Sequence, residues 1–448
     1  MIEVGSNNLR PVSDNSRFSD PSTWEAENAF VIISHRKIWT EAERYRNYRN
    51  TRFNTVLVDI EVLYDQFSYG IRKHPLAIRN FADYMLTAWT SDPSHLFLLG
   101  KSIEEPRVRK SSSLKAANLI PCVGFPVSDI MLTAGLNGDK SHVPAIPTGR
   151  LAARMNEEIA IYLDKVREFE NAHNIQITPY TINNRQWQKH ILHFAGGDNA
   201  TENACFRGYL AGYQEQAEDS LFGGKVFLFS KTSGNVIEEL NTDSVRLLLQ
   251  KGPAVMTFFG HVYGNTFDLS VDDPSLWNNR GKYPFVIANS CFSGNIHLPV
   301  ESIPSISEQY LFTLAKEPLP SSLHPISYEN YLNKYTTELY RQFSRKNYGE
   351  SFSKQMQATC DRMPNDERNK GVSLEMTMHG DPSLMLYPHD KTEISINDPQ
   401  SGADIRYIPS NITTDRDSFA VEVTLSNLGK STSKSFNLPA TFPMEPTR

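Results

Sequence analysis

A histidine and a cysteine each close an apolar run that opens with proline. The first run is Pro253-Ala-Val-Met-Thr-Phe-Phe-Gly-His261, and the second is Pro284-Phe-Val-Ile-Ala-Asn-Ser-Cys291, continued by Phe-Ser-Gly294. Runs of this kind, rich in Val, Ile and Phe, predict strands buried on both faces of a parallel sheet. Ligands of open α/β sheets bind beyond the carboxyl ends of the strands. His261 and Cys291 would then face one cleft, where an imidazole can take the proton of an attacking thiol. The chemistry this predicts is acyl transfer. The thiolate attacks a carbonyl, and the protonated ring releases the leaving amine. The small residues Gly260, Ser290, Ser293 and Gly294 would let a substrate backbone come close. The plain alternative for Cys291 is a packed thiol, the reading that suits Cys122, Cys205 and Cys360.

The elements that must position this pair alternate between strand and helix patterns. Strands are predicted at 29–34, 55–60, 95–100, 190–195 and 225–230, ahead of the two runs above. Helices are predicted near 40–52, 76–90, 151–172, 200–217, 240–250, 305–316, 329–346 and 350–362. This is the rhythm of an α/β fold with a parallel sheet flanked by helices. The division read from it is a polar segment at 1–27, α/β subdomains at 28–150 and 151–388, and a different tail at 389–448. In that tail, Ser418–Leu425 alternates with period two and Asn427-Leu-Gly429 makes a turn, which predicts part of a β-sandwich.

Bulk properties narrow the function. With 448 residues, 45 basic and 51 acidic side chains and a net charge of −6, the chain lacks the basic excess that phosphate binding needs. Nucleic acid is therefore not expected as a partner. No stretch approaches the ~18 apolar residues of a membrane span. The polar start does not read as a signal peptide. The four cysteines form no CxxC pair, so no zinc knuckle is expected. His190 and His193 would point to opposite faces of one strand and so not share a metal. Asp268, Asp272 and Asp273 could bind calcium, with a solvated acidic loop as the alternative. Gly380-Asp-Pro-Ser383 reads as a structural turn.

Landmarks along the chain together resemble the gingipain-type cysteine peptidases. These are Ile60–Gly70, the helix beginning Ala77-Ile-Arg-Asn-Phe-Ala-Asp83, His95–Gly100, Ile146-Pro-Thr-Gly-Arg150, Gly260-His261, Asn289-Ser-Cys291, Ser305-Ile-Ser-Glu308 and Gly380–Ser383. The resemblance covers most of residues 28–388. It implies a caspase-like fold, protein or peptide substrates, no cofactor for the chemistry, and a secreted or outer-surface location, with structural calcium allowed. It makes Cys291 the nucleophile and His261 the base. It places Asp198 near the acidic residue that orients the base, although an Asp there is also a common helix cap. Asp129 resembles an acid near the pocket for a basic P1 side chain. Two departures stand out. Val262 replaces the glycine expected after the histidine, which would harm the oxyanion hole if the turn needs positive φ. Glu317-Pro-Leu-Pro-Ser-Ser-Leu-His-Pro-Ile326 stands where a buried strand is expected and is a poor strand, so a sheet element there would be missing or replaced. The expected function is a cysteine endopeptidase with a Cys–His dyad, with cleavage after basic residues as what the resemblance to the Arg-specific members implies. Its alternatives are a type IX secretion sortase and a catalytically dead binding module.

Overall fold

The structure is a computed structural model. It describes residues 19–174, 182–240, 243–264, 266–271, 277–291, 293–299, 304–312, 319–323, 329–396, 405–411, 418–435 and 437. Among the described residues, fourteen strands precede the tail: β1 (Phe30–Ser34), β2 (Thr55–Asp59), β3 (His95–Leu99), β4 (Thr148–Leu151), β5 (His190–Ala195), β6 (Lys225–Ser230), β7 (Glu238–Leu240), β8 (Val255–Phe259), β9 (Val262–Tyr263), β10 (Thr266–Phe267), β11 (Leu269–Val271), β12 (Phe285–Asn289), β13 (Leu319–Leu323) and β14 (Thr377–His379). Ten of them form one sheet in the order β2-β1-β3-β4-β14-β13-β12-β8-β5-β6.

The run β13-β12-β8-β5-β6 is parallel throughout. Within it, β5, β8 and β12 are apolar on both faces because both faces are covered. Ile191, Val255, Phe259, Phe285 and Ile287 join the main core, whereas Leu192, Phe194, Met256, Phe258, Val286 and Ala288 form a second core on the opposite face. Alternation sorts successive side chains to the two faces. His190 and His193 follow the same rule: His190 packs edge-on to Phe227, and His193 Nε2 lies 2.8 Å from the Tyr340 hydroxyl.

Three sheet members escape the apolar pattern. β4 carries Gly149 and Arg150, and β14 is Thr-Met-His. Both are buried at the centre, where β14 bridges β4 at His379–Arg150. The third is β13, within the proline-rich segment expected to be a poor strand or a missing element. That expectation is wrong. β13 pairs in parallel with β12 and antiparallel with β14. Register jumps between Phe285–Leu319 and Val286–Ser321, so Pro320 falls in the irregularity. A bulge is where a residue without an N–H fits in a sheet.

The turn at Gly380–Ser383 is structural. Asp381 is fully buried and accepts from Tyr45 Oη (2.5 Å), Arg49 Nε (2.6 Å) and the Ser383 amide (2.8 Å). In the tail, Ile394–Ile396 pairs with Leu425–Asn427, and Ile405–Ile408 with Ala420–Val423, both antiparallel. The Asn427 side chain accepts from the Gly429 amide (2.9 Å), which forms the turn expected there.

Candidate active site

β8 and β12 are neighbours, and Phe259 pairs with Asn289 at their carboxyl ends. His261 and Cys291 each lie two positions beyond that last pair, so the sheet delivers both to the same edge. Adjacent strands sit about 4.8 Å apart. Cys291 is a free, half-buried thiol. By contrast, burial pushes the Cys122 and Cys360 thiols up to about 12, which leaves them protonated and inert.

The imidazole is held from behind. Phe206 and Tyr263 flank its ring at centroid distances of 6.0 and 6.2 Å. Nε2 lies 3.1 Å from Glu202 Oε1, with the histidine side chain 34% exposed. Glu202 is the third residue of the helix Ala200–Glu218, whose N-cap is Asn199. Its amide donates to Asn199 Oδ1 (3.0 Å), and its own Oε2 accepts from the Asp198 amide (2.7 Å). The helix N-terminus favours negative charge at this position.

Asp198, suggested by the sequence for the orienting role, offers an oxygen within 4.8 Å of both His261 and Glu202 but is not the acid in direct contact with the ring. It is exposed, and both of its oxygens accept from the Tyr263 hydroxyl, at 2.8 and 2.7 Å. The acid against His261 is Glu202, four residues on. Its only signal in the sequence was Asn199-x-x-Glu202, which reads as an ordinary capping box.

Asp129, suggested for a basic P1 pocket, is engaged within the protein. It is buried and forms a bidentate pair with the fully buried Arg150, at 2.7 Å for both Nε–Oδ2 and Nη2–Oδ1. Burial alone would raise its carboxyl, but the Arg150 guanidinium outweighs this and holds it below the usual carboxylate range. Each of its oxygens thus already accepts from the Arg150 guanidinium.

Val262 opens β9, which pairs with β10 in a short hairpin. It is extended, and valine suits that conformation. The turn thus needs no positive φ at this residue, which removes the reason for expecting a damaged oxyanion hole. The Asp268 amide donates to the His261 carbonyl (2.9 Å), so Val262–Phe267 is a non-hydrogen-bonded pair. The Val262 N–H of such a pair points away from the hairpin ladder. Ser290 is buried, and its backbone carbonyl accepts from Ser293 Oγ (3.2 Å).

Gly260, suggested for substrate approach, is closely packed. A Cβ there would lie 2.4 Å from Asp268 Oδ1 and 3.0 Å from Gly196 Cα. Gly260→Ala should force these loops apart, with a stability loss of about 1–3 kcal/mol, the usual cost of overpacking. Denaturant titration would measure it, and an unchanged midpoint would refute the close packing.

Asp268 is not in a solvated acidic loop. It is buried, and its oxygens accept from the Gly197 (2.7 Å) and Leu269 (3.1 Å) amides. Asp272 and Asp273 lie outside the described residues. Among the described residues, the groups close enough to hold a cation together are Asp198, Glu202 and His261. The imidazole does not suit calcium, which takes oxygen ligands. A cavity of about 390 Å³ opens elsewhere, between Arg49, Phe169, His173 and Tyr387, and contains none of the sequence-predicted site residues.

Comparison with known proteins adds to this geometry. The profile described as peptidase family C25 matches residues 23–387. The chain is similar in structure to the Arg-specific cysteine proteinase gingipain R, at a TM-score of 0.58 and 15% identity over 83% of this chain and 82% of that one. It is similar to the complex of the pro- and mature domains of RgpB from Porphyromonas gingivalis, at 0.56 and 16% over 82% of each chain. It is also similar to a structure described only as a protease, at 0.59 and 14% over 90% of this chain and 87% of that one. At these identities the likeness speaks for the fold. Comparison with curated protein sequences gave no match.

Proposed function

The chain belongs to peptidase family C25 and is a cysteine-type peptidase, and on that premise we propose that Cys291 and His261 are its catalytic dyad, with Glu202 as the acid behind the base. The observation that supports this reading is the register of β8 and β12, which ends both strands level at Phe259 and Asn289, two residues before His261 and Cys291. His261 takes the Cys291 proton and the thiolate attacks the carbonyl carbon of a peptide bond. The oxyanion that forms accepts from the backbone N–H groups of Cys291 and Val262. The His261 imidazolium returns its proton to the leaving amine, which departs as the C–N bond breaks. Water, deprotonated by the same imidazole, then opens the thioester and frees the acid. Glu202 stabilises the ring's positive charge while it exists. Val262 supports an active enzyme over a dead binding module, because its extended backbone leaves an N–H aimed out of the hairpin.

Cleavage after basic residues rests on the family resemblance, and Asp129 gives it no support. A secreted or outer-surface location has the same basis. Among the described residues no helix is long and apolar enough to cross a membrane.

Glu202→Gln keeps the size and the cap but removes the charge. The expected result is a fall of about 10- to 100-fold in kcat with little change in KM, because the charge acts on the imidazolium of the transition state. Steady-state kinetics on a peptide substrate would read it, and an unchanged kcat would exclude Glu202 from the mechanism.

A further inference from the structure

We propose that Asp268 is a positioning residue that sets the spacing between His261 and Glu202. The inference rests on the dyad reading above. Asp268 joins the loops that follow three parallel strands. Through Oδ2 it accepts from Gly197 (2.7 Å), in the turn after β5 that leads to Glu202. Through its amide it donates to the His261 carbonyl (2.9 Å), in the loop after β8. Lys231, just past the end of β6, lies with Nζ 4.0 Å from Oδ2. The carbonyl of Asp268 also accepts from the Glu238 amide (2.9 Å), which ties this junction to β7.

The carboxylate is wedged as well as bonded. A Cβ on Gly196 would lie 2.1 Å from Oδ1, and one on Gly260 2.4 Å. Two glycines from separate loops therefore close on a single side chain. The Gly196 amide also donates to the Phe259 carbonyl (2.8 Å), so both loops leave the sheet from one fixed point. The residues Gly197 to Glu202 and Gly260 to His261 are short, direct tethers from that point. The 3.1 Å contact between His261 and Glu202 is the far side of the same triangle.

An Asp268→Asn variant keeps the volume but gives Gly197 or Leu269 an amide group in place of an acceptor. The rotated loop would move His261 against both Glu202 and Cys291. A misplacement near 1 Å costs catalysis about 100-fold. The expected result is a fall of about 10- to 100-fold in kcat with KM within about twofold, together with a shifted His261 ring resonance in the NMR spectrum of histidine-labelled protein. Asp381→Asn, which removes a buried carboxylate in the turn after β14 with no bond to the loops of the dyad, is the control and should leave kcat unchanged. A folded Asp268→Asn protein with parental kcat and parental His261 resonance would overturn the inference. So would a loss confined to KM. If Asp268→Asn does not fold, Lys231→Met is read instead, with a smaller fall in kcat as support and parental kcat as refutation. A parent enzyme that cleaves no peptide overturns the dyad reading, and the positioning role with it. That outcome is distinct from an active parent with an equally active variant.

Discussion

Cys291→Ala is expected to abolish peptide hydrolysis, with a fall of about 10⁴-fold or more in kcat. The loss should be chemical rather than structural. Cys291 lies half-buried beyond a strand end, so removing one sulfur leaves the sheet intact. The unfolding midpoint should therefore stay near that of the parent. No other thiol can take over. Cys122 and Cys360 are buried and held protonated, and Cys205 sits on the helix Ala200–Glu218. Digestion of a peptide library by parent and variant, read by mass spectrometry, would decide the matter. Cleavage by the parent alone would establish the peptidase and report its P1 preference. Equal cleavage by both would remove Cys291 from the mechanism, and equal silence would favour the binding module.

Asp129→Asn should be among the most destabilising single changes in the fold, yet it should leave P1 preference untouched. The variant leaves the Arg150 guanidinium buried, with carbonyl partners at Gly100 (2.8 Å), Ile120 (3.1 Å) and Pro121 (3.2 Å) but no counter-charge from Asp129. Breaking a buried pair from one side costs about 3–5 kcal/mol. Urea unfolding at constant slope would measure it. The pH dependence has a definite sign. The folded-state carboxyl is depressed, so the pair's contribution is present above the ordinary Asp range and is lost as pH falls through the lowered value. The variant should lack that acid-side loss. A loss of basic P1 preference at unchanged stability would return Asp129 to the substrate pocket.

Much of the site was legible because the residues that bear it end apolar strands. The runs before His261 and Cys291 can be read only as buried strands, and neighbouring strands bring their ends together. Glu202 was hidden because a capping box and an acid paired with a base look alike in sequence. Asp129 misled for the opposite reason. Its partner Arg150 is 21 residues away, and nothing local announces the pair. β4 and β14 were missed because their polar side chains are satisfied by partners distant in sequence, not by solvent. In β13 the prolines argued against a strand, and only the pairing with β12 reveals the irregularity that accommodates Pro320.

The place of β14 has a consequence for how the chain is made. β14 lies in the middle of the sheet, between β4 and β13, yet it is the last of the sheet's strands to leave the ribosome. Until residues 377–379 emerge, β4 presents an open edge at what will become the molecular centre. Such an edge is a template for pairing with another chain. The nascent protein therefore keeps an unpaired central edge until late in synthesis, and the two halves become one sheet only when β14 is added.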